Sequence, residues 1–220
     1  MNAAPIGTDL PISVDDAEFD SATFRRVLGH YPTGVCVVAA TELDGRRVGM
    51  VVGSFTSVSL EPPLVAFFPD RTSTSWPRIE RAGKFCVNVL AGGQRELCQR
   101  FAAKGGDKFA GVAHHLSANG SPVLDGVVAW IDCSLEAVHD AGDHFIVLGR
   151  VCAFDVARGD QPLLFFRGAY GDFMPRPDSV RPNAPPVKAR RLGWRDGPRS
   201  PSQDGVPVTD VQKVPLSNSL

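Results

Sequence analysis

Residues 127–138, VVAWIDCSLEAV, put apolar side chains at Val127, Ala129, Ile131, Cys133, Leu135 and Ala137. An apolar residue at every second position suits a strand with one buried face; a helix would repeat its stripe at three and four. HDAGD (139–143) then turns the chain, and HFIVLGRVCAFDV (144–156) is the natural hairpin partner. LLFFRGAYGDF (163–173) is expected to close the sheet.

The rest of the chain has the same character. VCVVAAT (35–41) reads as a buried strand, DGRR (44–47) as a hairpin turn favoured by its Asp-Gly pair, and VGMVV (48–52) as the returning strand. SFTSVSL alternates, with Thr56, Val58 and Leu60 on one face and Phe55, Ser57 and Ser59 on the other. PLVAFF (63–68) and KFCVNVL (84–90) add two strands, and short ones are expected near 114–118 and 122–124. Helices are few. One is predicted over about 17–30, capped by Asp15 or Asp16 and apolar at Phe19, Phe24, Val27 and Leu28. A second runs from about 75 to 82, because Pro77 fits a first turn and Gly83 an end. A third spans 92–103, where Leu97 and Phe101 lie four apart. Many strands, Gly- and Pro-rich turns and scattered helices predict a mainly β barrel or sandwich. There is no G-x-G-x-x-G and no P-loop, so any nucleotide is held by another device.

Composition sets the outer limits. The 220 residues carry a net charge of −1, so no basic field argues for nucleic acid. No apolar run approaches the ~20 residues of a membrane helix. The N-terminus lacks a basic stretch followed by an apolar one, and a cytoplasmic protein is expected. Cys36, Cys86, Cys98, Cys133 and Cys152 are scattered, odd in number and form no C-x-x-C, which suits buried thiols in a reducing compartment. The stretch 174–220 holds nine of the 18 prolines and eight Lys/Arg against four Asp/Glu. Such a segment has too little to bury to offset its ordering entropy. The expected organisation is a flexible leader at 1–16, a folded domain over 17–173 and a disordered tail at 174–220, whose Lys188, Arg190 and Arg191 are expected to be solvated, with a weak anion or partner contact as the alternative.

One stretch stands apart, GMVVGSFTSVSLEPPLVAFF (49–68), where hydroxyls and glycines interrupt apolar runs. Small residues allow backbone to approach a flat ligand, and hydroxyls donate without bulk. Met50, Val51, Val52, Gly53 and Ser54 would line one wall. Arg71, Thr72, Ser73, Thr74 and Ser75 precede a helix and make a candidate phosphate cradle, with plain helix capping as the alternative for Ser73 and Ser75. His139, Asp140, Asp143 and His144 crowd one turn, but their spacing matches none of the common zinc patterns. His114 and His115 point to opposite faces of a strand and are poor joint ligands. No metal site is expected.

Taken together, FRRVLGHYPTGVCVVAA, GMVVGSFTSVSLEPPLV, DRTSTSWPRIERAGKFCVNVL, LCQRFAAKGGDKFAGV, PVLDGVVAWIDCSLEAVHDAGDHFIVLGRV and PLLFFRGAYGDF resemble the flavin reductase-like family, in order from Phe24 to Phe173. The resemblance implies a homodimeric split β-barrel of the FMN-binding, Greek-key type with a few short helices. It implies an NAD(P)H:flavin oxidoreductase that reduces FMN or FAD, with NADH favoured over NADPH, and supplies a flavin-dependent monooxygenase. On this resemblance the segment from Met50 through Ser54, Phe55 and Thr56 faces the isoalloxazine edge. Ser73, Thr74 and Ser75, with Arg71, hold the flavin phosphate. Asn88 and its neighbour Val89 meet the ribityl or ring region, and Phe101 and Lys108 complete the pocket. His144 meets the nicotinamide, with Arg167 and Tyr170 close by. Two other functions stay open: a flavoprotein that keeps its flavin and acts on an organic substrate, and a non-enzymatic flavin carrier.

Overall fold

The computed structural model describes residues 20–157 and 161–176. The expected leader and all but the first residues of the expected tail lie outside them, as do Asp15, Asp16 and Phe19. The chain forms α1 (Ser21–Leu28), β1 (Thr33–Gly34), β2 (Cys36–Thr41), β3 (Arg47–Val52), β4 (Thr56–Leu60), β5 (Pro63–Phe67) and α2 (Trp76–Ala82). It continues through β6 (Lys84–Val89), a 3-10 turn (Gly92–Gln94), α3 (Arg95–Ala102), β7 (His114–Leu116) and β8 (Pro122–Leu124). The long hairpin β9 (Ala129–Ala141) and β10 (His144–Val156) and the short hairpin β11 (Leu163–Phe166) and β12 (Ala169–Asp172) complete it.

Seven strands form one antiparallel sheet in the order β3-β2-β6-β9-β10-β5-β4. Its two edge strands are consecutive in the chain, with only Gly53, Ser54 and Phe55 between them. In a flat sheet, seven strands would separate those edges by roughly 29 Å. Four Cα steps reach only about 15 Å. The sheet must therefore curl until its edges approach, and the absence of a β3–β4 ladder among the described pairings leaves the barrel split.

The strand β2 explains why its sequence is apolar without alternation. Cys36, Val38 and Ala40 join one core inside the barrel, with Phe67, Phe85, Val87, Cys133 and Val147 and with Trp76 and Ile79 of α2. Val37 and Ala39 point the other way, into a second core with Cys98 and Phe101 of α3, Phe109, Leu124 and Leu163. Both faces are covered, so both are apolar. The pairing Phe145↔Asp140 to Val156↔Ala129 confirms the β9–β10 hairpin expected from period two, with two register shifts along it.

Several expectations need correction. The first helix begins only at Ser21, and its cap is Asp20, whose carboxylate accepts from Ala22 N (2.9 Å) and Thr23 N (3.1 Å). Its apolar side chains are not buried: Phe24, Val27 and Leu28 are each about half exposed or more. The third helix becomes α-helical only at Arg95, after the 3-10 turn. The alternation read into SFTSVSL fails because β4 is an edge strand with a register shift between Ser57 and Ser59, and four of its five residues are exposed. LLFFRGAYGDF does not close the large sheet. Arg167-Gly168 turns it back on itself, and β11 pairs with β1 and β12 in a separate three-stranded sheet.

Candidate active site

Two cavities lie at opposite ends of β3. The first, of about 420 Å³, is lined by Arg46, Arg47, Val48 and Gly49, by Thr74, Ser75 and Arg78, and by Gly105 to Phe109. Three separate chain segments meet there: the β2–β3 turn running into β3, the approach to α2, and the loop after α3. Gly49 sits where α3 comes closest to the sheet. A Cβ on it would fall 2.6 Å and 2.8 Å from two Phe101 ring atoms and 3.3 Å from Phe109, so only glycine fits.

The cations of this cavity differ in their partners. Arg78 forks onto Glu42 from α2, and this bond holds the Glu42 carboxyl below its ordinary range. Arg46 bonds Asp44 at 2.7 Å within its own turn. Lys108 reaches only carbonyls, Phe101 O at 2.8 Å and Gly49 O at 3.5 Å. Burial, followed by the nearby Arg78 charge, pushes the Lys108 ammonium down from its ordinary value. Arg47 donates to Gly45 O, and its buried Nε has no partner among the described residues. Lys108 and Arg47 thus line the cavity without an ion-pair partner among the described residues, while the Asp107 carboxylate, which also lines it, accepts from Phe109 N at 2.9 Å; the excess of cations suits an anionic ligand.

The second cavity is shallower and apolar. Ser54, Phe68, Ala141, His144, Phe145 and Ile146 line it. Ser54 Oγ accepts from Phe68 N at 3.0 Å, fixing the loop between β3 and β4 to the strand end opposite. His144 begins β10 beside Asp70, and its Nδ1 lies 2.7 Å from Asp143 Oδ1. That contact draws the Asp143 carboxyl below its ordinary value. With one ring nitrogen tied to Asp143, the other is left to orient toward a ligand.

Several of the residues expected at one flavin site are brought together, and others are not. Thr74, Ser75 and Lys108 share the first cavity, and Ser54 and His144 the second. Between them, Met50 and Val51 are half-buried on β3, Val52 is buried, Gly53 is exposed, Phe55 packs on the barrel core and Thr56 lies exposed on β4. Ser73 takes the plainer role: its Oγ accepts from Trp76 N at 3.2 Å and caps α2. Ser75 makes no such side-chain cap bond.

Arg71 does not line the first cavity with Thr74 and Ser75. Its backbone bonds Asp143 O, its guanidinium bonds Gly142 O and Asp140, and it lies over the Phe145 ring, so it belongs to the β9–β10 turn. Asn88 is fully buried and structural. Its Nδ2 donates to Pro122 O, Val37 O and Cys86 O, and its Oδ1 accepts from Leu124 N at 2.8 Å. It ties the β7–β8 hairpin to the barrel and has no group left for a ligand. Val89 packs, half-buried, against the barrel core and Phe101 is buried beneath Gly49, and neither lines the two cavities. Arg167 and Tyr170 are not beside His144. Arg167 N bonds Gly29 O, and Tyr170 contacts Cys98, Arg95 and Phe165 on the far side of β11 and β12.

The sequence reading missed Arg46, Arg47, Arg78, Gly105 and Gly106. A signal was present for the first two: adjacent arginines in a hairpin turn that leads into the strand already assigned to the site.

Residues 28–174 match the family described as flavin reductase like domain. A flavin reductase of Pseudomonas putida is 59% identical over 166 residues, covering 76% of this chain and 98% of that protein. The crystal structure of nitrilotriacetate monooxygenase component B from Mycobacterium thermoresistibile is 42% identical, covers 80% of this chain and 92% of the other, and superposes with a TM-score of 0.68. The structure of the NADH:FAD oxidoreductase SgcE6 of Streptomyces globisporus, in complex with NAD and FAD fragments, is 34% identical, covers 74% and 100% of the two chains, and also has a TM-score of 0.68.

Proposed function

The chain belongs to the flavin reductase like domain family, and we propose that it uses NADH or NADPH to reduce FMN or FAD and passes the product to a partner flavin-dependent monooxygenase. The observation that carries the reading is the first cavity. Thr74, Ser75 and Lys108 converge there from distant segments, and the ammonium of Lys108 meets carbonyls but no carboxylate. Such a set matches the phosphate end of a flavin. A flavin held there supplies the electrophilic N5 that accepts hydride from nicotinamide C4.

The chain's own part is positioning. Arg47 and Ser54 are seven residues apart, so the two cavities are separated along β3 by at most roughly 24 Å. That span suits a ligand with its phosphate at Lys108 and its ring along Met50 to Ser54. Backbone N–H groups on this wall would stabilise negative charge on the ring edge. His144, with its Nδ1 held by Asp143, would orient the nicotinamide over that ring, while Phe68 and Ile146 keep water away.

The homodimer and the cytoplasmic setting belong to the same reading. Phe24, Val27 and Leu28 of α1 and Phe165 and Phe166 of β11 are exposed apolar side chains that a second copy would cover. Four of the five cysteines are buried as free thiols, which suits a reducing compartment. We likewise take residues 17–173 as the functional domain. Steady-state kinetics of His144→Ala tests the assignment. KM for NADH is expected to rise at least about tenfold while the dissociation constant for flavin changes less than about twofold. Equal losses in both contradict it.

A further inference from the structure

We propose that Arg71 is a positioning residue for hydride transfer, acting through His144 by clamping the β9–β10 turn that carries the imidazole. The inference rests on the role given to His144 above. Arg71 lines neither cavity; what it touches are the chain neighbours of His144. The turn is tight. Ala141 pairs with His144, only Gly142 and Asp143 lie between them, and Gly142 has φ 63°. It stands at the tip of a hairpin of two 13-residue strands, where a ladder frays first unless something outside it holds the end.

Contacts from this one residue converge on the turn. The Arg71 N–H donates to Asp143 O at 3.0 Å, and its Nε donates to Gly142 O at 2.7 Å. Its Nη2 pairs with the Asp140 carboxylate, and its guanidinium carbon lies 4.5 Å from the centre of the Phe145 ring. The contacts fall on both sides of His144 in the chain, and one of them holds Asp143, whose carboxylate holds His144 Nδ1. The segment carrying Arg71 is itself fixed. Phe145 N donates to Pro69 O at 3.0 Å, Asp70 bridges His144, and Thr72 donates to the Asp70 carboxylate from both N and Oγ1. Carbonyl, carboxylate and ring face are engaged together by one planar group; a lysine ammonium has neither the plane nor the fork. The Arg71 side chain is 41% exposed, so its ion pair adds little stability by itself. Its consequence is geometric, since a displacement of about 1 Å at a reacting centre can cost on the order of a hundredfold in rate.

A double-mutant cycle separates a positioning role from a merely structural one. KM for NADH and the dissociation constant for flavin are measured for the unaltered protein, Arg71→Ala, His144→Ala and the double variant. Arg71→Ala is expected to raise KM for NADH about fivefold while flavin affinity changes less than about twofold. In the His144→Ala background the same substitution is expected to add less than about twofold, because the imidazole it positions is gone. Arg71→Lys keeps the charge beside Asp140 and is expected to retain most of the KM loss. It replaces Arg71→Ala in the cycle should that variant fail to fold, judged by circular dichroism and melting. An unchanged KM in Arg71→Ala, additive losses in the double variant, full recovery in Arg71→Lys, or a parallel loss of flavin affinity overturns the positioning role and leaves His144 as assigned. An unchanged KM for NADH in His144→Ala overturns the role of His144, and that of Arg71 with it.

Discussion

Asp132 carries a charge that the fold would be better without. It lies in mid-β9, fully inaccessible, with Oδ1 unpartnered and Oδ2 accepting a long bond, 3.4 Å, from Asn119 N. Burial, opposed by bonds from Ser117 and Asn119, pushes its carboxyl from the ordinary 3.8 up to about 6. A carboxyl whose value is raised by folding contributes stability that is complete below about pH 4 and is lost as the pH rises through about 6. The full displacement would be worth about 3 kcal/mol at neutral pH. The polar 117–121 turn lies over the charge, so we take on the order of 2 kcal/mol. Asp132→Asn removes the titration and keeps the shape. Urea denaturation of both proteins at several pH values between about 4 and 8 isolates the effect, because the carboxylates held low by partners, such as Glu42 and Asp143, are common to both. The stability of the original minus that of the variant should fall by on the order of 2 kcal/mol across the range and then level off. A flat difference, or one that rises with pH, would refute the reasoning.

Two further substitutions test the packing that shapes the site. Gly49→Ala drives a methyl into the Phe101 ring, which is 1% exposed and cannot give; a destabilisation of about 1–3 kcal/mol is expected, seen as a fall of several degrees in Tm, and an unchanged Tm contradicts the fit. Asn88→Ala strands Leu124 N and Pro122 O in the interior. A loss of about 3 kcal/mol or more and faster hydrogen exchange in the β7–β8 hairpin are expected, with flavin affinity unchanged in the protein that remains folded. Loss of flavin affinity at full stability would restore Asn88 to the site.

Legibility followed the range of the interactions. The β9–β10 hairpin was readable because period two and turn-forming residues are local properties, although the turn itself is only Gly142 and Asp143, and His139 to Ala141, expected in it, extend β9. The short α2 was readable because Pro77 and Gly83 act within one turn of the chain. What failed depended on contacts between distant segments. Asn88 looks like a polar wall residue until Pro122 and Leu124, more than thirty residues on, take up its amide. Arg71 is two residues from Ser73, yet the β9–β10 turn, some seventy residues later, claims its guanidinium. The apolar face of α1 announced burial, but nothing among the described residues of the same chain packs fully over it. Arg46 and Arg47 were read only as a turn, because a hairpin tip carries no sequence mark of what lies across from it.

The central claim is that the wall along β3, with cations at one end and His144 at the other, brings nicotinamide and flavin together for repeated hydride transfer. Anaerobic stopped-flow mixing of the protein with NADH and a large excess of free FMN or FAD tests this most directly. The account predicts bleaching of many equivalents of flavin per protein chain. Reduction of one bound equivalent, or of none, would contradict it.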